Sequence, residues 1–198
     1  SCYDDVNDKY RNSQSYPGIV AQHYNLDLIN TALPGASLES MRWALDWLLN
    51  KSEIDIRECM LLVGLTQAHR QSWYDPALVD DKYPWNKHQH GQWLLESKSE
   101  WATMHKLWVA QSYASEWKRY NMHQTVVYFD YVRLRYNIPV VQFQAMNSVN
   151  SEKYELPDFS FESLAGTNVK ANGHPDEKGH RLFANHLINY IDHAILAE

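Results

Sequence analysis

Cys59-Met60-Leu61-Leu62-Val63-Gly64 and Pro139-Val140-Val141-Gln142-Phe143 are the two stretches that decide the fold class. Each is a short, nearly continuous apolar run, the pattern of a strand covered on both faces rather than of one half exposed to water. Helical periodicity surrounds them. Leu38, Met41, Leu45, Leu48 and Leu49 recur at helical spacing through Asn50, and Ser37 stands where an N-cap belongs. Two further helical patterns run over Glu100 to Tyr113 and Ser115 to Tyr136. A last one begins near Pro175 and carries Phe183, Leu187, Ile191 and Ala194 on one face. Strand runs that alternate with helices predict an α/β domain with a largely parallel sheet, and right-handed crossovers put helices on both of its faces.

Between these elements the signals are shorter. Pro17 near a first turn predicts a helix over Ile19 to Tyr24, and Leu26-Asp27-Leu28-Ile29-Asn30 suits a strand. Asn147 to Gly173 reads mostly as loop. The stretch from about 66 to 99 is a long polar and aromatic insertion, a length that in compact domains often serves function. There is no internal repeat, low-complexity tract or linker, so a single domain over 1–198 is expected.

Composition removes several function classes. Of the 198 residues, 44% are hydrophobic and 21% charged, a balance that excludes a disordered tail. No apolar run reaches the roughly 18–20 residues of a transmembrane helix, so no membrane partner is expected. A net charge of −6 offers no basic stripe for phosphates, which argues against nucleic acid. Cys2 and Cys59 are too few for a disulfide framework, and Cys59, in its apolar run, reads as a buried small hydrophobe. His88-Gln89-His90 with His69 and Asp75 lacks a further ligand at a diagnostic spacing, so no metal is assigned.

Function in a doubly wound sheet gathers beyond the carboxyl ends of the strands. Four segments in chain order resemble the blocks of the SGNH (GDSL-type) hydrolase family. Ser1-Cys2-Tyr3-Asp4-Asp5 is similar to the nucleophile serine and its turn. Asn30-Thr31-Ala32-Leu33-Pro34-Gly35-Ala36-Ser37 is similar to the second block, and Val63-Gly64-Leu65-Thr66 to the third. His174-Pro175 with Gly179-His180 and the helix after it resembles the last. The resemblance spans nearly the whole chain. It implies a flavodoxin-like α/β/α sandwich of three layers whose first strand lies upstream of Ser1. It also implies a serine esterase in which Ser1 attacks, His174 is the general base, and the N–H groups of Cys2 and Gly35 hold the oxyanion with Thr66 assisting.

Thr66 stands at the family's asparagine position. Asn172 stands near the family's aspartate position, leaving Asn172, a backbone carbonyl or an aspartate elsewhere to orient the histidine. An O-acyl ester such as an acetylated carbohydrate is the expected substrate, with Trp73, Tyr74 and Trp85 of the insertion offering flat faces for a sugar ring or acyl group. No cofactor is implied. The alternative is an SGNH-like domain without catalysis that binds or assembles, for instance within an oligomer or a phage particle. His180 reads as structural, hydrogen-bonded to a loop.

Overall fold

In chain order the elements are α1 (Tyr16–His23), α2 (Leu38–Lys51), a 3-10 turn (Ile56–Glu58), β1 (Leu61–Leu65), β2 (Ser72–Tyr74) and β3 (His88–His90). They continue with α3 (Ser115–Tyr136), β4 (Val140–Gln144), α4 (Phe161–Ala165), α5 (Glu177–Tyr190) and a π-helical turn (Ile191–Ile195). This computed structural model describes residues 13–32, 36–51, 53–67, 70, 72–74, 88–90, 103, 106–107, 115–145, 154, 156–165 and 175–195. Among the described residues the chain is mixed α/β and mostly helical, with a two-stranded parallel sheet and a two-stranded antiparallel ribbon. It divides into two compact units, one made of Ser1–Asn30, Met60–Leu65 and Pro139–Glu198, the other of Thr31–Cys59 and Thr66–Ile138.

The first unit is built on β1 and β4, the strands formed by the two apolar runs. They pair in parallel from Leu61↔Val140 to Leu65↔Gln144. The Leu61 N–H donates to the Pro139 carbonyl and the Ala145 N–H to the Leu65 carbonyl, each at 3.0 Å, so the ladder is anchored at both ends. All five β4 residues are buried, as expected of a parallel strand covered on both faces. Val141 and Phe143 join Val20 of α1 and Phe183, Ala184, Leu187 and Ile188 of α5 in one apolar cluster, which Ile191 closes.

Aromatic rings dominate that cluster. Phe183 meets Tyr16 at 5.0 Å, Phe161 at 5.1 Å and Phe143 at 5.2 Å between ring centroids, mostly edge to face. Ser15 caps α1 by accepting from the Gly18 N–H, and Pro17 sits in its first turn. Asn25 ends it in the left-handed region at φ 53°, with the Leu26 N–H on the Ala21 carbonyl and the Asn25 N–H on the Gln22 carbonyl.

That ending explains one departure from expectation. Leu26 to Asn30 is no strand: the Leu26 amide is spent on closing α1, and the segment pairs with no strand among the described residues. A second departure is α4, which lies inside the expected loop. Ser160 and Ser163 cap one another, each side chain accepting from the other's backbone N–H, while Phe161 and Leu164 pack on the core. The third is Ala194, which is exposed. The π-helical turn from Ile191 changes the periodicity that put Ala194 in line with Phe183 and Leu187.

The second unit rests on α2 and α3. Leu38, Ala44 and Leu45 are buried on α2, as are Met122, Val126, Phe129 and Val132 on α3. Arg42 reaches Asn121 at 3.5 Å and Tyr128 donates to Asp46 at 2.5 Å, so positions rise together along both helices and the two run the same way. Burial, reinforced by Asp46, holds the Tyr128 phenol above its ordinary pKa. Ser37 caps α2 as expected, accepting from the Ser40 N–H. Within the long insertion β2 and β3 pair antiparallel, Trp73 opposite Gln89.

The 3-10 turn is nucleated by Asp55, whose carboxylate takes the Arg57 backbone N–H at 3.0 Å and two guanidinium N–H groups at 2.9 and 2.6 Å. These bonds favour the charged form and hold the Asp55 carboxyl down at about 2. A depressed carboxyl supports the fold where it is ionised and gives up that support as pH falls through the folded-state value. An NMR titration should therefore place the Asp55 midpoint near 2, and Arg57→Gln should move it up toward the ordinary carboxyl range. Removing the ring at the cluster's centre, Phe183→Ala, should cost about 3–5 kcal/mol in urea unfolding.

Candidate active site

The described part of the site starts at the carboxyl end of β1. Gly64 lies opposite Phe143 in the parallel register, and a Cβ built at Gly64 would come within 3.1 Å of two Phe143 ring carbons. The phenyl ring thus lies close over the glycine, the approach that a strand glycine permits. Leu65 ends the strand, fully buried, and Thr66 follows it, also buried. Thr66 accordingly occupies the position at a strand's carboxyl end where doubly wound folds gather chemistry, with a hydroxyl able both to donate and to accept.

The segment that resembles the last block enters the described structure at Pro175. Asp176 caps α5, its carboxylate accepting from the Gly179 N–H at 2.9 Å while its carbonyl takes the His180 N–H. The cap holds the chain directly after His174 at a defined helix entrance. His180 then turns inward: it is buried, accepts the Tyr16 N–H at Nδ1 (3.3 Å), stacks on the Tyr16 ring and packs against Phe161. An Nδ1 that accepts leaves the ring proton on Nε2, so this imidazole is neutral and committed to joining α1 to α5. This is a structural role, although the partner is a helix start rather than a loop.

Cys59 departs from expectation. It precedes β1 instead of lying within it and is half-buried, its thiol 3.5 Å from the Asp55 carbonyl. Burial, with the carboxylates of Asp55 and Glu58 nearby, pushes the thiol pKa up. A thiol held protonated at the amino end of the strand is a poor nucleophile.

Ser1, Cys2, Gly35, Asn172, His174 and Trp85 lie outside the described residues. Trp73 and Tyr74 are placed by backbone alone, in β2. Gly35 stands two positions before the buried cap Ser37, and His174 two before the cap Asp176. Two residues escape the motif reading. Asp176 carries a legible signal, a cap acid three positions ahead of Gly179. Arg70, four residues beyond Thr66, is a half-buried cation whose N–H closes a turn on the Gln67 carbonyl and whose guanidinium pKa is lowered by burial. A single arginine in a polar stretch carries no pattern that announces burial.

Among the described residues no group of three or more His, Cys, Asp or Glu side chains converges as metal ligands, and no helix is long and apolar enough to cross a membrane. No protein-family model matches the chain, and no curated protein and no solved structure matches it either.

Loss of the α5 cap is the direct test of how the helix entrance is held. Asp176→Ala should lower stability by about 1 kcal/mol in chemical denaturation, and Asp176→Asn or Asp176→Ser should retain most of it.

Proposed function

We propose that this chain is a serine hydrolase of the SGNH type, built as a three-layer α/β/α, flavodoxin-like domain, that cleaves an O-acyl ester such as an acetylated carbohydrate. The observation that carries this reading is the register of motif and structure. Gly64 and Leu65 close a parallel strand and Thr66 leaves its carboxyl end, and the chain after His174-Pro175 enters a helix capped by its own aspartate. Both support a hydrolase of doubly wound type, in which an oxyanion donor follows a strand's carboxyl end and the general base precedes a helix.

In this mechanism the Ser1 hydroxyl attacks the ester carbonyl while His174 takes its proton. The tetrahedral oxyanion rests on the N–H groups of Cys2 and Gly35 and on the Thr66 hydroxyl. His174, oriented by Asn172 or another acceptor, then protonates the departing alcohol. Water activated by the same imidazole releases the acyl group from Ser1. Trp73, Tyr74 and Trp85 supply the aromatic faces against which a sugar ring or acyl chain lies.

A chromogenic acetyl ester tests the assignment. His174→Ala and Ser1→Ala should each lower turnover by at least about 10³-fold, and Thr66→Val by about 10². Equal rates in wild type and His174→Ala overturn the hydrolase reading and leave an SGNH-like domain used for binding or assembly.

A further inference from the structure

Helix α3 is apolar on two opposite faces. Asn121, Met122, Thr125, Val126, Phe129 and Val132 form its buried side. On the other side Tyr120, Val127, Tyr131 and Leu134 are 55%, 49%, 59% and 73% exposed. A single exposed apolar residue needs no explanation, but four on one line do. Their spacing is that of a coiled-coil seam. With Trp117 and Gln124 they occupy the sequence 117, 120, 124, 127, 131, 134, alternating steps of three and four through five intervals. A 22-residue helix is long enough to present all six positions on one stripe of about 26 Å.

We propose that this face of α3 is a homodimer interface in which the α3 helices of two copies pack side by side, parallel and in register. Three observations favour a second copy over a different partner. The seam is self-complementary, since a two-fold axis running along it brings Tyr120, Val127 and Leu134 of one chain onto the same residues of the other. The flanks carry opposite charges at the spacing this arrangement uses. Asp130 lies on one flank and Arg135, five residues on, lies on the other, so this arrangement sets Asp130 of each chain opposite Arg135 of the other, two pairs in all by symmetry. Gln124 sits in the middle of the seam, where one polar residue penalises a slip of register because it would then face apolar neighbours.

Area sets the strength. The four exposed side chains offer about 400 Å² per copy, or about 800 Å² for the pair before flanking residues are counted. This is the small end of specific interfaces, so the dimer is a weak one that forms and separates with concentration.

Sedimentation equilibrium across a concentration series reads this directly. The full chain should show a monomer–dimer equilibrium. Leu134→Glu and Tyr131→Glu should each weaken it by at least about tenfold while leaving the far-ultraviolet circular dichroism and the unfolding midpoint near those of wild type. Arg135→Glu should weaken it, and Asp130→Lys combined with Arg135→Glu should restore part of the loss. Orientation is read by oxidative cross-linking against the wild-type background. Both Val127→Cys and Leu134→Cys should cross-link to themselves. A chain that stays monomeric throughout, a dimer indifferent to both glutamate variants, or a cross-link at Val127→Cys without one at Leu134→Cys would each overturn the proposal.

Discussion

Five residue pairs hold β1 to β4, and the direction of that pairing constrains the chain around it. Parallel strands cannot be joined by a tight hairpin, so the polypeptide must leave the carboxyl end of β1 and return to the amino end of β4. Here the excursion runs from Thr66 to Ile138 and falls wholly within the second compact unit. Parallel strands also need cover on both faces. On one face of β4 that cover is the ring cluster of Tyr16, Phe143, Phe161 and Phe183, gathered from α1, β4, α4 and α5. Two short strands supply little stability by themselves, so the aromatic packing carries the sheet as much as the ladder does.

Helix ends do the local positioning. Ser15, Ser37 and Asp176 each start a helix with a side-chain acceptor, and α1 and α3 end on Asn25 and Asn137 in the left-handed region. At the end of α3 the Ile138 N–H returns to the Arg133 carbonyl, and Ile138 is buried one residue before the chain pairs at Pro139. The caps have a further consequence for the proposed chemistry. Gly35 and His174 each stand two positions before one of them in the sequence, so the chain that follows each motif residue enters a helix with a fixed start. A reacting group needs this kind of fixed approach.

Long periodic elements were legible in the sequence. Ser115–Tyr136 has the bounds that its periodicity predicts, and the two apolar runs are strands displaced by one or two residues. What could not be read depends on partners. Leu26 to Asn30 has strand composition, yet a strand exists only where its amides find another strand, and the Leu26 amide is taken by α1. The α4 turn is five residues long, too short for periodicity to show, and its reciprocal serine bonds are visible only once Phe161 and Leu164 are seen to pack. Of the candidate site, Thr66 stands just beyond a strand's carboxyl end, and the helix expected near Pro175 starts at Glu177, its Asp176 cap a legible signal that the motifs do not include. The burial of Arg70 had no sequence signature because desolvation is a property of the surroundings.

Gly64 shows how a motif residue is held by something other than chemistry. The Phe143 ring that a Gly64 side chain would push is itself fully buried, edge-on to Tyr16 at 5.8 Å and tilted against Phe183 at 5.2 Å, so it has little room to yield. Positions 64 and 143 are thereby one unit of inheritance. A larger residue at 64 requires the Phe143 ring to give by a few tenths of an ångström or a smaller residue to stand at 143, whether or not the protein turns over a substrate. A glycine at 64 therefore records the shape of this core, whereas Thr66, two positions later, bears on the proposed chemistry.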